Sequence, residues 1–155
     1  MASIFQTLKS LVGRRLMLGK YGQLVASPNG TDIDLTMKCA DASITVGAEV
    51  GDARAITIQL KDANGADIDY VEEVELVLFL TADRLAYVVT GGSTGIAIGT
   101  DGALSTVVAK KRFYATSEID GDIDLTWTDT ATEAAFLGLK LPSGRWVMSS
   151  ALANA

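Results

Sequence analysis

The sequence predicts an all-β fold, an antiparallel β-sandwich of immunoglobulin-like or jelly-roll-like type with a helical or extended arm at its amino terminus. Short alternating or wholly apolar runs recur from Ala53 onward with turn signals between them. The apolar share of 48% comes largely from Ala, Val, Leu and Ile, with aromatics at only 6%, which suits packed sheets. Helical spacing of apolar residues is confined to the first residues of the chain. At 155 residues there is room for one domain with an appended arm, and we divide the chain into an arm (1–52) and a β module (53–155).

In the arm, Ile4, Phe5, Leu8, Leu11, Val12 and Leu16 fall on one stripe of a helix over Ser3 to Leu16. Ser3 followed by Gln6 makes a capping box that starts it. Gly13 costs it about 1 kcal/mol relative to alanine. Such a stripe must be buried against either the chain's own sheet or a partner surface. The six stripe residues are therefore the candidate partner-binding positions. Leu18 to Met37 carries turn signals at Tyr21-Gly22 and Ser27-Pro28-Asn29-Gly30 around short apolar pieces such as Leu24-Val25-Ala26. It reads equally as an extended arm with isolated strands or as the opening hairpin of the sandwich.

In the module, Ala55 to Leu60 alternates apolar and polar residues like a half-buried strand. Asn64-Gly65 then marks a tight turn. Val74 to Leu80 is nearly continuous in apolar residues, as a strand covered on both faces should be. Asp83 to Thr90 with the following Gly91-Gly92-Ser93 reads as a long loop. Thr100-Asp101-Gly102 reads as a hairpin turn between Ile96 to Ile98 and Leu104 to Ala109. Ile123 to Thr128 alternates again, Ala131 to Ala135 suggests a brief helical turn, and Phe136 to Leu141 leads through Pro142-Ser143-Gly144 to a last strand at Trp146 to Ser149. Roughly seven or eight strands fit this pattern.

Composition also narrows the function. The formal net charge of −6 repels phosphate backbones, so no nucleic-acid partner is expected. Lys110-Lys111-Arg112 reads as a solvated strand end that protects a sheet edge. No run approaches the ~20 apolar residues of a membrane span. Lys9, Arg14 and Arg15 interrupt the segment where a signal peptide needs an apolar stretch, so synthesis in the cytoplasm and no membrane partner are expected. Histidine is missing, which removes the commonest general base and zinc ligand together. Cys39, the single cysteine, reads as a buried structural thiol.

Three motifs imitate chemistry and then fail on their details. Asp120, Asp122 and Asp124 begin like a calcium loop, but Leu125 and Ala131 stand where that loop needs glycine and glutamate. Gly91-Gly92-Ser93-Thr94-Gly95 resembles a phosphate loop without its lysine or following helix. Asp-Ile-Asp-Leu-Thr recurs at Asp32 to Thr36 and at Asp122 to Thr126, with flanks that do not match. The expectation is no catalytic residues, no metal site and no cofactor; the chain is not read as an enzyme.

Several segments together resemble the β-sandwich module of tailed-bacteriophage capsid decoration (cement) proteins and related head or tail proteins. They are Gly47-Ala48-Glu49, the strand Ala55 to Leu60 with Lys61-Asp62-Ala63-Asn64-Gly65, Ile98-Gly99-Thr100-Asp101-Gly102 and Gly121-Asp122-Ile123-Asp124-Leu125. Phe136-Leu137, Leu141-Pro142-Ser143-Gly144 and Val147-Met148-Ser149 complete the set. The likeness covers about two-thirds of the chain, from Gly47 onward, and its motifs are turns and strands that mark a module more than an activity. It implies a virion structural protein on the capsid exterior, bound in many copies to the major capsid protein and associating with itself, with a homotrimer as one arrangement. The alternative it leaves open is a tail, baseplate or head-fibre module that recognises a host-surface glycan, with Trp127, Trp146 and Tyr87 as stacking platforms.

Overall fold

The computed structural model describes the backbone of residues 15–18, 24–27 and 33–34, and residues 39–154 with their side chains. The chain divides into two compact units, Met1–Met37 and Lys38–Ala155. In the first, β1 (Arg15–Leu18), β2 (Leu24–Ser27) and β3 (Ile33–Asp34) form a three-stranded antiparallel sheet in sequence order. The helix expected over Ser3 to Leu16 lies mostly outside the described residues, as do Ile4, Phe5, Leu8, Leu11 and Val12. Where it enters them it is corrected, because Arg15 and Leu16 are strand, paired with Ser27 and Ala26. The segment from Leu24 is a meander with β1, and neither open reading included that pairing.

The second unit holds nine strands: β4 (Asp41–Val50), β5 (Ala53–Lys61), β6 (Glu73–Phe79), β7 (Gly95–Ile98), β8 (Ala103–Val108), β9 (Arg112–Thr116), β10 (Asp122–Thr128), β11 (Ala135–Lys140) and β12 (Trp146–Leu152). They form a four-stranded sheet in the order β4-β5-β10-β7 and a five-stranded sheet in the order β12-β11-β6-β9-β8, every ladder antiparallel. The expected boundary at 52/53 falls inside the β4–β5 hairpin. β4 belongs to the module, which is why the compact units divide fifteen residues earlier.

The two sheets pack face to face over one core. Ile56, Ile58 and Leu60 from β5 and Ile123, Leu125 and Trp127 from β10 meet Leu76 and Leu78 from β6, Phe113 from β9 and Leu137 and Leu139 from β11. Each such side chain removed from water contributes about 1.5–3 kcal/mol before the entropy of ordering is counted. Cys39 lies in the same cluster, as expected. Burial, and then Glu72 and Asp41 nearby, push its thiol up to about 11, which keeps it protonated and inert.

Three connections are hairpins within a sheet, β4–β5, β8–β9 and β11–β12, and the others cross between sheets. Gly51 and Asp52 both take positive φ, 59° and 64°, as a two-residue turn matched to strand twist requires. Asn64-Gly65 turns as expected, with the Asp62 carboxylate accepting the amides of Asn64 (2.8 Å) and Ala66 (2.9 Å). Thr100-Asp101-Gly102 does not make the expected hairpin. It carries the chain from the four-stranded to the five-stranded sheet, held by Gly99 N–H to Asp124 O (2.7 Å) and Asp124 N–H to Asp101 O (2.9 Å). Residues 131–134 form no helical turn; the buried Asp129 carboxylate instead accepts the amides of Ser93, Ala131 and Glu133. Asn154 closes the carboxyl end onto this region, donating to the carbonyls of Asp52 (2.6 Å) and Asp129 (2.8 Å).

Candidate functional site

Cross-strand partners share a face, so the ladder registers sort the side chains into inner and outer sets. On the outer face of the four-stranded sheet lie Ser43, Thr45, Ala55, Thr57, Gln59, Asp122, Asp124, Thr126 and Thr128, a small and polar set. Asp122 and Asp124 stand there side by side. Asp124 accepts the Thr57 hydroxyl at 3.0 Å, and burial followed by the neighbouring carboxylates raises the Asp122 pKa. No group of carboxylates among the described residues is arranged to hold a metal ion.

The outer face of the five-stranded sheet is different. Val77, Phe79, Phe136, Gly138, Trp146 and Met148 all project there. Phe79 is only 5% exposed although it points away from the core. Its ring lies across Gly138, where an added Cβ would stand 2.8 Å from Phe79 Cε2, so glycine at 138 is what admits the aromatic ring.

Above Phe79 the chain folds back on itself. Leu80 N–H bonds to Ala86 O (2.8 Å), Val88 N–H reaches Leu78 O (3.4 Å), and Tyr87 bridges to Phe79. The residues between form a tight tip in which Arg84 N–H closes on Thr81 O (3.0 Å) and Arg84 takes the left-handed conformation, φ 66°. The Asp83 carboxylate braces the tip by accepting the Thr81 hydroxyl and the Leu85 amide, and those bonds, the hydroxyl first, hold its pKa below the usual range.

This return stacks Tyr87 on Phe79, with centroids 5.6 Å apart and planes 17° apart. Trp146 meets Phe79 edge-on, at 5.5 Å and 77°. Tyr87 and Trp146 therefore meet steeply and form a corner, with Phe79 as its base. Arg84 and Lys140 lie 5.7 and 5.9 Å from the Trp146 ring centroid, in cation–π range. Lys140 is also paired with Glu75 (3.6 Å), which holds Arg112 on its other oxygen (2.6 Å). The result is a cleft of about 310 Å³ lined by Phe79, Asp83, Arg84, Tyr87 and Trp146.

After the hairpin, residues 89–92 run on toward β7 and are gripped by Glu133. Its carboxylate accepts the amides of Val89 (2.7 Å), Thr90 (3.2 Å) and Gly91 (2.9 Å) and the Thr90 hydroxyl. Partial burial pushes the Glu133 pKa upward, but these donors, the Thr90 hydroxyl foremost, outweigh it and bring it to about 2. The phosphate-loop likeness is thereby explained. The glycine-rich segment does present amides to an anion, and the anion is a side chain of the same protein.

The residues singled out in the sequence fare unequally. Trp127 is fully buried in the core beside Gly92 and offers no surface for stacking. Trp146 and Tyr87 do come together, with Tyr87 64% exposed. Leu16 lies in β1. The basic run is also corrected. β9 is an interior strand, Lys110 Nζ donates to the carbonyls of Gly92 (3.2 Å) and Ser93 (2.6 Å), and Arg112 pairs with Glu75. Phe79, Asp83, Arg84 and Lys140 were missed; the one signal for them was the charged Thr81-Ala82-Asp83-Arg84 stretch after a wholly apolar strand. No protein-family model, curated protein or solved structure matches this chain.

Proposed function

We propose that this chain is a virion structural protein of a tailed bacteriophage, a decoration or cement protein that binds the outside of the capsid and stabilises contacts between major capsid subunits. The observation that carries the reading is the division of the chain into a small amino-terminal unit with its own sheet and a separate nine-stranded module. That organisation suits an anchor joined to a displayed domain. In this reading Ile4, Phe5, Leu8, Leu11, Val12 and Leu16 make the contacts with the major capsid protein, the module faces solvent, and association into a homotrimer multiplies weak contacts into stable attachment. The net charge of −6 helps to keep coated particles dispersed.

The test is the copy number of this chain relative to the major capsid protein in purified particles, by quantitative mass spectrometry. A number comparable with that of the capsid subunits is the expected result. A number far below it moves the chain to a tail, baseplate or head fibre, and absence from particles overturns the virion reading. Deleting residues 1–37 is expected to abolish particle binding while leaving the circular dichroism of the sandwich unchanged.

A further inference from the structure

We infer that the cleft between Tyr87 and Trp146 is a saccharide site that takes an uncharged pyranose ring. One face of Tyr87 is covered by Phe79, yet the residue remains 64% exposed, so its other face is open. An aromatic face is the negative side of the ring quadrupole and suits the weakly positive C–H face of a pyranose. Trp146 stands steeply beside it and closes one side of the corner. The cleft is open to solvent, and its volume of about 310 Å³, at the lower end of small-ligand sites, gives room for one sugar ring laid against the aromatic corner. A protein partner would need roughly 800 Å² from each side for stable docking, and the cleft is a small feature on that scale.

The polar groups fit hydroxyls better than a charged ligand. Asp83 and Arg84 line the cleft together, so the charges of its lining cancel. Oδ1 of Asp83 is fixed by Thr81 and Leu85, while Oδ2 has no protein donor among the described residues and is available to a sugar hydroxyl. The Arg84 guanidinium makes no hydrogen bond or ion pair among the described residues, and its contact is the Trp146 ring. An acceptor and a planar donor on adjacent residues match a pair of neighbouring hydroxyls.

The backbone places these polar groups. Among the described residues, three other than glycine take positive φ: Asp52, Arg84 and Lys110. Asp52 completes a two-residue hairpin turn, and Lys110 uses its ammonium to hold the carbonyls of Gly92 and Ser93. Arg84 closes the tip of the 79–88 hairpin through its N–H to Thr81 O (3.0 Å), and that tip sets Asp83 and Arg84 side by side in the lining of the cleft.

The experiment is a titration of the full chain with methyl glycosides of glucose, galactose, mannose and N-acetylglucosamine and their disaccharides, with methyl glucuronide as a charged comparison. It is followed by the indole N–H and aromatic ring signals in NMR. Buried Trp127 is the internal reference. Saturable shifts at Trp146 and Tyr87 with a neutral sugar, and none at Trp127, are expected. Tyr87→Ala is expected to weaken binding at least tenfold. Arg84→Gly is expected to weaken it severalfold with the fold intact, because glycine accepts the left-handed backbone. The inference is overturned if no neutral sugar gives a saturable shift, or if the shift persists undiminished in Tyr87→Ala. Binding of the glucuronide alone overturns the uncharged assignment. Cleft signals that move with protein concentration in the absence of sugar overturn it in favour of a second copy as occupant.

Discussion

The two outer faces of the sandwich are built on the same antiparallel scaffold and treat their second surface in opposite ways. The four-stranded sheet shows water threonine, serine, glutamine and aspartate at alternate positions, the usual arrangement for a sheet with one solvated face. The five-stranded sheet carries Val77, Phe79, Phe136 and Met148 outward and covers part of that surface with a hairpin of its own, residues 79–88. Alternation thus identifies a face left to solvent, whereas a break in alternation identifies a face that something must cover. Here the cover is local chain, and the seam between cover and sheet is where the cleft lies.

The sharpest way to break this contrast is Phe79→Ala. It removes a ring 5% exposed on which Tyr87 and Trp146 both rest, and should cost about 3–5 kcal/mol in urea unfolding. If the loss is below about 1 kcal/mol, within the range of ordinary surface substitutions, the outer cluster is decoration and not a second core. Gly138→Val comes next. It puts a branched side chain against Phe79 and Met148 Sδ, at an expected cost of about 1–3 kcal/mol, and should shift Trp146 fluorescence while leaving Trp127 unmoved.

Acid acts on the segment that follows the hairpin, through Glu133. Its pKa in the folded protein, about 2, lies below its ordinary value of 4.5, so its contribution is fully present above pH 4.5 and is lost as pH falls toward 2. Hydrogen exchange should then accelerate at the amides of Val89, Thr90 and Gly91 before it does in β5 and β10. Equal acceleration in all of these segments would dispose of a local clamp. The smallest effect is expected on the polar face, where Thr45→Ala should change stability by no more than about 0.5 kcal/mol.

Much of this contrast was legible in the sequence, and the parts that were not share a cause. The alternation over Ile123 to Thr128 puts Trp127 in phase with Ile123 and Leu125, which is where it is found, fully buried. The apolar run from Val74 to Leu80 announced a strand covered on both faces, and β6 is one, but no local pattern said that Tyr87 would supply the second cover. Thr100-Asp101-Gly102 has good hairpin chemistry and nonetheless joins different sheets, because turn residues specify a bend and not the partner of the next strand. Arg84 could not be foreseen, since the left-handed position at a hairpin tip is usually announced by glycine or asparagine. Lys110 looked like edge protection because its two carbonyl partners lie 17 and 18 residues away, beyond the reach of pattern reading.

The grip of Glu133 on residues 89–92 makes the order of that segment independent of dissolved ions. A glycine-rich loop that relied on a dissolved anion would be ordered only while that anion was plentiful. It would loosen on dialysis and respond to every phosphate or sulfate in its surroundings. With the counter-ion tethered by the polypeptide, its local concentration is set by chain geometry. The segment that follows the hairpin therefore keeps its shape whether such ions are scarce or abundant.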